Sequence, residues 1–300
     1  MRYLFSRFFL RLKRDGLVNV ILFIFKFFFQ SEKKINLDTL EISNNKKLDD
    51  YFLIFGTDKG FLDGKKTFYK ISKTSSEKKF LNYKDWVLRQ NIYNFDYELG
   101  QNFTPVYEKF FEHIKLEKLD ILEIGVAGGH SHASWYMYFP NSNIYGIDIK
   151  PQKELLYSGN RLKYYQFDIL KKNQVDIFLK KGLKFDIIID DSLHDFDAFI
   201  ANLFNFFPSL KRNGLFFLED FLQKDIRLER LRSYNQKYGK KLTKYDLTIE
   251  EILTNLSKKN IFKSDYISED NQINLHNNIK DLEINKLDYP DAAIAVIRKR

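Results

Sequence analysis

Leu119-Asp-Ile-Leu-Glu-Ile-Gly-Val-Ala-Gly-Gly-His-Ser131 joins an apolar run to a glycine turn and a helix start. Asn143-Ile-Tyr-Gly-Ile-Asp-Ile149 then supplies a second apolar run that ends in an acid. Together they read as a nucleotide-type βαβ unit, with Gly125, Gly128 and Gly129 permitting positive φ and close backbone approach. Asp148 follows Gly125 by 23 residues, where a carboxylate accepts hydrogen bonds from two ribose hydroxyls.

A dinucleotide fingerprint fits poorly, because its second and third glycines would fall on Ala127 and His130. Glu123, inside the strand end, suits a cationic cofactor better than a pyrophosphate, which points to S-adenosylmethionine.

Two further buried strands end in acids: Phe185-Asp-Ile-Ile-Ile-Asp-Asp-Ser-Leu-His194 and Gly214-Leu-Phe-Phe-Leu-Glu-Asp220. In an open parallel sheet, residues beyond the strand carboxyl ends face the ligand crevice. Asp191, His194, Glu219 and Asp220 are therefore expected to converge, although 29 positions separate the outermost two. Any one of these acids also serves as a helix cap or a solvated loop residue; two acidic pairs after successive strands fit a crevice better. Three hard oxygen donors beside an imidazole suit a divalent cation and a general base. An alcohol hydroxyl is too weakly acidic to ionise at neutral pH, so a cation to stabilise developing negative charge and an imidazole to accept the proton meet the same chemical need. The other histidines read differently: His113 in an amphipathic helix, His276 in a polar loop, and His130 and His132 in helix-start packing or a polar contact to the cofactor.

Glu123-Ile-Gly-Val-Ala-Gly-Gly129 with Asp148 resembles the first two motifs of class I S-adenosylmethionine-dependent methyltransferases, Ala127 standing for the usual middle glycine. Gly56-Thr-Asp-Lys59, Asn102-Phe-Thr-Pro-Val-Tyr-Glu108, Asp190-Asp-Ser-Leu-His194 and Glu219-Asp220 are similar in order and spacing to metal-dependent sugar O-methyltransferases of the mycinamicin and macrocin type. The resemblance covers roughly residues 56–296, with divergence over 60–95 and 222–288. Gln101 stands where the family often has histidine, and the glycine of its Asp-Asp-Gly-Ser-His form is displaced. It implies that Asp191, Glu219 and Asp220 bind magnesium or another divalent cation and that His194 is the catalytic base beside Asp191. It places Glu123, Gly125, Gly128, Ser131, Asp148, Asp168 and Asp190 around the cofactor.

The chain has 300 residues, 44% of them hydrophobic, and no cysteine. That length buries one sizeable core, and the missing thiols exclude disulfides and cysteine-ligated metals. The net charge of +9 is concentrated at the ends. Residues 1–34 carry eight Lys or Arg against two acids, and Arg298, Lys299 and Arg300 close the chain, so the body between is balanced. A nucleic-acid substrate is disfavoured, since it calls for a basic face on that body.

Residues 1–14 interleave Leu4, Phe5, Phe8, Phe9 and Leu12 with five basic residues, and Gly16 leads into the apolar run 17–29. That run is shorter than the about 20 residues of a membrane span, and favours attachment to an anionic membrane surface. An N-terminal helical pair packed on this or another subunit fits the same amphipathic pattern, leaving a homo-oligomer open. Residues 35–117 read as linker and helical cap, and 118–300 as the catalytic domain with an insertion near 222–288. Strands are expected at 119–124, 143–148, 163–167, 185–190, 214–218, near 262–267 and at 292–298; helices at 198–210, closed by Asn213-Gly214, at 227–241 and at 248–259.

The expected fold is doubly wound α/β: a mostly parallel, seven-stranded, Rossmann-like methyltransferase sheet with an N-terminal helical extension. The expected activity is cation-assisted O-methylation of a sugar in bacterial capsule or other surface polysaccharide, in the cytoplasm or at the inner face of its membrane. A natural-product glycoside, a catechol-like aromatic, and a non-catalytic cofactor-binding scaffold in a polysaccharide assembly complex are the alternatives.

Overall fold

The structure is a computed structural model that describes residues 34–40, 46–55, 103–222, 247–287 and 292–300. Two compact units divide the chain, Met1–Ile35 and Asn36–Arg300, and the fold described here is that of the second. The expected basic amphipathic segment, the Gly56–Lys59 motif, Gln101 and the helix at 227–241 lie outside the described residues.

Seven strands form the central sheet: β1 Asp120–Ile124, β2 Asn143–Asp148, β3 Leu162–Gln166, β4 Phe185–Asp190, β5 Leu210–Glu219, β6 Ile279–Lys286 and β7 Ala293–Lys299. Their order is β3-β2-β1-β4-β5-β7-β6, and β1 to β5 pair in parallel, whereas β7 runs antiparallel to both its neighbours. Runs such as Ile187-Ile-Ile189 are buried on both faces, as strands covered on each side by helices must be.

Register assigns those faces. Leu122, Ile188 and Phe216 align on one face, followed two residues on by Ile124, Asp190 and Leu218; Glu123, Ile189 and Phe217 align on the other. The first face is covered by α4 (Lys172–Leu179), α5 (Phe196–Phe206) and α6 (Ile249–Ser257), through Val175, Phe178, Phe199, Leu203, Phe206, Ile252, Leu253 and Leu256. The second receives α2 (Thr104–Phe111), whose Tyr107, Phe110 and Phe111 rings pack on Phe217 at centroid distances of 4.9, 5.8 and 5.0 Å. On that side Trp135 of α3 (His130–Tyr138) meets Tyr107 at 5.0 Å and Phe52 of α1 (Leu48–Phe55) at 4.9 Å.

Three sequence expectations are corrected. The segment 262–267 is not a strand: Gln272 of α7 (Glu269–Asn278), only 1% exposed, donates through its side-chain amide to the Phe262 and Ile267 carbonyls and accepts from the Phe262 N–H, so those backbone groups have no need of a ladder. The remaining strand is β6, whose sequence Ile279-Lys-Asp-Leu-Glu-Ile-Asn-Lys286 mixes charge and apolar residues as an edge strand does. Asn213-Gly214 does not close a helix. α5 ends at Phe206, a 3-10 turn covers Phe207–Ser209, and the pair sits inside β5, opposite the register shift between Phe185 and Ile187. Asn213 has φ of 60°, and a Cβ on Gly214 would stand 2.9 Å from the Asp186 carbonyl oxygen. The turn signal marks a bulge. Finally, His276 lies in α7 at 8% exposure rather than in a polar loop, and burial lowers its pKa.

At the start of α6, Thr248 accepts from the Glu251 N–H at 3.1 Å and the Glu251 carboxylate returns the bond to the Thr248 N–H at 2.6 Å. Replacing this capping box by Thr248→Ala should lower stability by about 1 kcal/mol, read from urea unfolding midpoints.

Candidate active site

The carboxyl ends of β1, β2 and β4 are knitted together by backbone. The Gly125 N–H donates to the Ile147 carbonyl at 2.8 Å, and the Asp191 N–H to the Ile124 carbonyl at 2.8 Å. Gly125 has φ of +94°, and a Cβ there would stand 2.1 Å from the Asp191 carbonyl oxygen and 2.8 Å from the Ser192 Cα. No other residue fits. The glycine turn and the acidic loop after β4 therefore form one packed unit.

Within the turn, Ala127 adopts φ of 51° and Gly129 φ of 91°. Asp148 holds the turn from below: Oδ2 accepts from the Ala127 N–H at 2.7 Å and Oδ1 from the Lys150 N–H at 2.8 Å. His130 donates from Nδ1 to the Phe55 carbonyl at 2.8 Å and so fastens the end of α1 beside the turn. Ser131 is buried in the first turn of α3, and Gly128 accepts from the Leu156 N–H at 3.2 Å. Asp168, past the end of β3, accepts from the Leu170 N–H at 3.0 Å.

The structure brings Asp191, His194 and Asp220 together: one donor atom from each lies within 4.8 Å of the others. His194 Nε2 is 3.5 Å from Asp191 Oδ1 and 4.0 Å from Asp220 Oδ2, and all three side chains keep some solvent access. His194 and Asp220 have φ of 51° and 55°. Left-handed backbone at non-glycine residues costs on the order of 1–3 kcal/mol and persists where surrounding structure enforces it. Two carboxylates and an imidazole, partly exposed at strand ends, form a donor set that fits a hard divalent cation.

Three expected site residues are buried and held by hydrogen bonds. Glu123 is fully buried on the α2–α3 face, where its carboxylate accepts from His132 Nδ1 at 2.8 Å and Trp135 Nε1 at 3.1 Å. It braces α3 against β1, and His132 belongs to the same brace. Asp190 points to the opposite face, accepting from the Ser192 hydroxyl at 2.7 Å and the Ser192 N–H at 3.3 Å, while Asn202 of α5 donates to that hydroxyl at 3.0 Å. Burial pushes its pKa up, the Ser192 and Asn202 hydrogen bonds opposing that rise. Glu219, also fully buried, directly precedes Asp220, and its Oε1 accepts a hydrogen bond from the Tyr107 hydroxyl. Burial first, then the Glu219 carboxylate, raises the Tyr107 pKa well above the ordinary tyrosine range, so the hydroxyl remains a donor. Tyr107 lies in the Asn102–Glu108 segment, but no spacing rule links it to a carboxylate 112 positions away.

No family model matches the chain. Over 126 residues, 39% of this chain and 31% of the relative, it is 32% identical to the mycinamicin VI 2''-O-methyltransferase of Micromonospora griseorubida. Identity to the demethylmacrocin O-methyltransferase of Streptomyces fradiae is 28% over 125 residues, again 39% of this chain and 31% of the relative. The matched part spans about a third of the length of these curated relatives. Among solved structures, the MycE methyltransferase of mycinamycin biosynthesis, in complex with Mg and SAH, superposes with a TM-score of 0.50 and 24% identity, covering 66% of this chain and 49% of that one. The fold is that of the class I methyltransferases. Sheet order, glycine turn and acidic strand ends all fall where that fold puts its ligand crevice.

Gly125→Ala should destabilise the protein by more than about 2 kcal/mol, because both backbone strain and the Asp191 carbonyl oppose a side chain. Ala127→Gly should act the opposite way, by up to about 1 kcal/mol, since it relieves a left-handed alanine. Urea unfolding of both variants checks the pair.

Proposed function

We propose that this protein transfers a methyl group from S-adenosylmethionine to a sugar hydroxyl, assisted by a divalent cation such as magnesium. The observation that carries the reading is the cluster of donor atoms from Asp191 and His194, on the loop that Gly125 packs against, and from Asp220 at the end of β5. Similarity to sugar O-methyltransferases of the mycinamicin and macrocin type supports the acceptor class.

In this reading Asp191 and Asp220 hold the cation, and Glu219, one residue before Asp220, is the third carboxylate. The cation, when bound, stabilises negative charge developing on the acceptor oxygen. His194 Nε2 takes the hydroxyl proton, the oxygen bonds to the sulfonium methyl carbon, and the broken carbon–sulfur bond leaves its electron pair on sulfur. An imidazole ionises near pH ~6.5 in water and accepts and releases a proton readily at neutral pH. The Gly125–Gly129 turn and Ser131 form the backbone cradle for the cofactor, with Asp148 and Asp168 at its ribose and base end. Asp190 acts at one remove, by shaping the Ser192 turn that carries Asp191 and His194.

The acceptor sugar belongs either to a glycoside or to a bacterial surface polysaccharide precursor. The basic, aromatic pattern of residues 1–29 favours the second, since it suits an anionic membrane surface where such polymers are assembled. No described helix is long and apolar enough to cross a membrane.

The test is purified full-length protein with S-adenosylmethionine, with and without magnesium, presented with nucleotide sugars, glycosides and catechols, and products read by mass spectrometry. Methylation of a sugar that chelation abolishes is the expected result. Cofactor binding without turnover on any acceptor would favour a scaffold, and methylation of catechols alone would move the acceptor class. His194→Ala should reduce turnover by about 100-fold or more while cofactor and cation affinities hold; Asp191→Asn should lose cation affinity. If both variants lose the cation equally, His194 is a ligand and not the base.

A further inference from the structure

Tyr107 belongs to α2, outside the strand-end loops, yet its hydroxyl donates to Glu219 Oε1 beneath the carboxyl end of β5. Both residues are fully buried. The ring is fixed on every side: Phe217 at 4.9 Å, Trp135 at 5.0 Å and Phe111 at 5.3 Å. The helix that carries it is itself tethered, because Glu108 Oε1 accepts the Leu48 N–H at 2.8 Å and joins α2 to the start of α1. A phenol so clamped has one orientation to offer its acceptor.

We propose that Tyr107 is a positioning residue for the cation site: it fixes one oxygen of Glu219 and thereby the orientation in which this carboxylate serves the cation. The inference rests on the proposed function, which makes Glu219 a ligand, and goes beyond it in assigning α2 a part in metal affinity. The physical reason is general. A ligating carboxylate held by a donor that cannot rotate away loses less freedom on binding metal, and removing such a donor costs about 10–100-fold in affinity. Tyr107 lies 84 residues before Asp191 and 113 before Asp220, so the helical part that precedes the sheet in sequence contributes to a centre built at the carboxyl ends of β4 and β5.

The experiment is manganese binding to the full chain, followed by electron paramagnetic resonance of the free ion, for the wild type, Tyr107→Phe, Glu219→Gln and the double variant. Phenylalanine keeps the ring packing and removes only the hydroxyl. Tyr107→Phe should weaken manganese binding about 10–100-fold, and in the Glu219→Gln background the same change should add little. A structural role alone would lower the thermal midpoint and shift affinity equally in both backgrounds, which would overturn the proposal. So would unchanged or tighter binding by Tyr107→Phe. Absence of manganese binding by the wild type would instead remove the cation from the proposed function, and this inference with it.

Discussion

The constraint on which the site depends is the approach of Gly125 to the Asp191 backbone. A Cβ would stand 2.1 Å from the Asp191 carbonyl oxygen, well inside any van der Waals contact, so the β1 turn and the β4 loop share one surface with no side chain between them. Hydrogen bonds from Gly125 to Ile147 and from Asp191 to Ile124 extend that unit across three neighbouring strands. Backbone so tightly joined shifts little without strain, because packed interiors have few voids to absorb displacement. The glycine turn and the acidic loop are thus held at a fixed separation by main chain.

Around that seam the strand ends carry charge on both faces, and each buried acid is answered by its own donors. Glu123 is held by His132 and Trp135, Glu219 by Tyr107, and Asp190 by Ser192, which Asn202 supports in turn. Burying a carboxylate without such partners costs several kcal/mol. These networks are why three acids of similar sequence context differ in role. Position along a β-strand decides the face, since adjacent residues point oppositely, and Asp191 and Asp220, one step beyond their strands, come together with His194.

The sheet and the crevice were legible because both follow from local pattern. Apolar runs of five or six residues gave β1, β2 and β4 within a residue, and the acids beyond them marked the crevice. The β6 strand was not legible, because an edge strand with one polar face lacks an apolar run, and Phe262 to Ile267, read as a strand, spends its backbone on Gln272. Asn213-Gly214 showed that a turn signal reports positive φ and not the element it interrupts. Glu123 was read as a cofactor contact from its place at the strand end, and which groups hold it depends on which neighbour covers that side of the sheet. Its answer came from His132 and Trp135, nine and twelve residues on and one helix turn apart. The contact between Tyr107 and Glu219 was beyond sequence reading, since it depends on the docking of α2 against Phe217.

Left-handed backbone is concentrated where the chemistry is proposed. Of the five non-glycine residues with positive φ among the described residues, Ala127 lies in the glycine turn, and His194 and Asp220 are two of the three clustered donors. Such conformations cost energy that a relaxed loop would shed. At Asp220 the strain is enforced by the pairing that ends β5, where its N–H donates to the Ala293 carbonyl of β7 at 3.0 Å. At His194 it follows from the Ser192 turn on Asp190 and from Asp195, whose side chain caps α5 by accepting the Ala198 N–H at 2.9 Å. The antiparallel strand β7 and the helix α5 therefore bear on the site without supplying a side chain to it. Each pins the chain on one side of a strained residue and so aims a donor atom at the crevice that Gly125 keeps open.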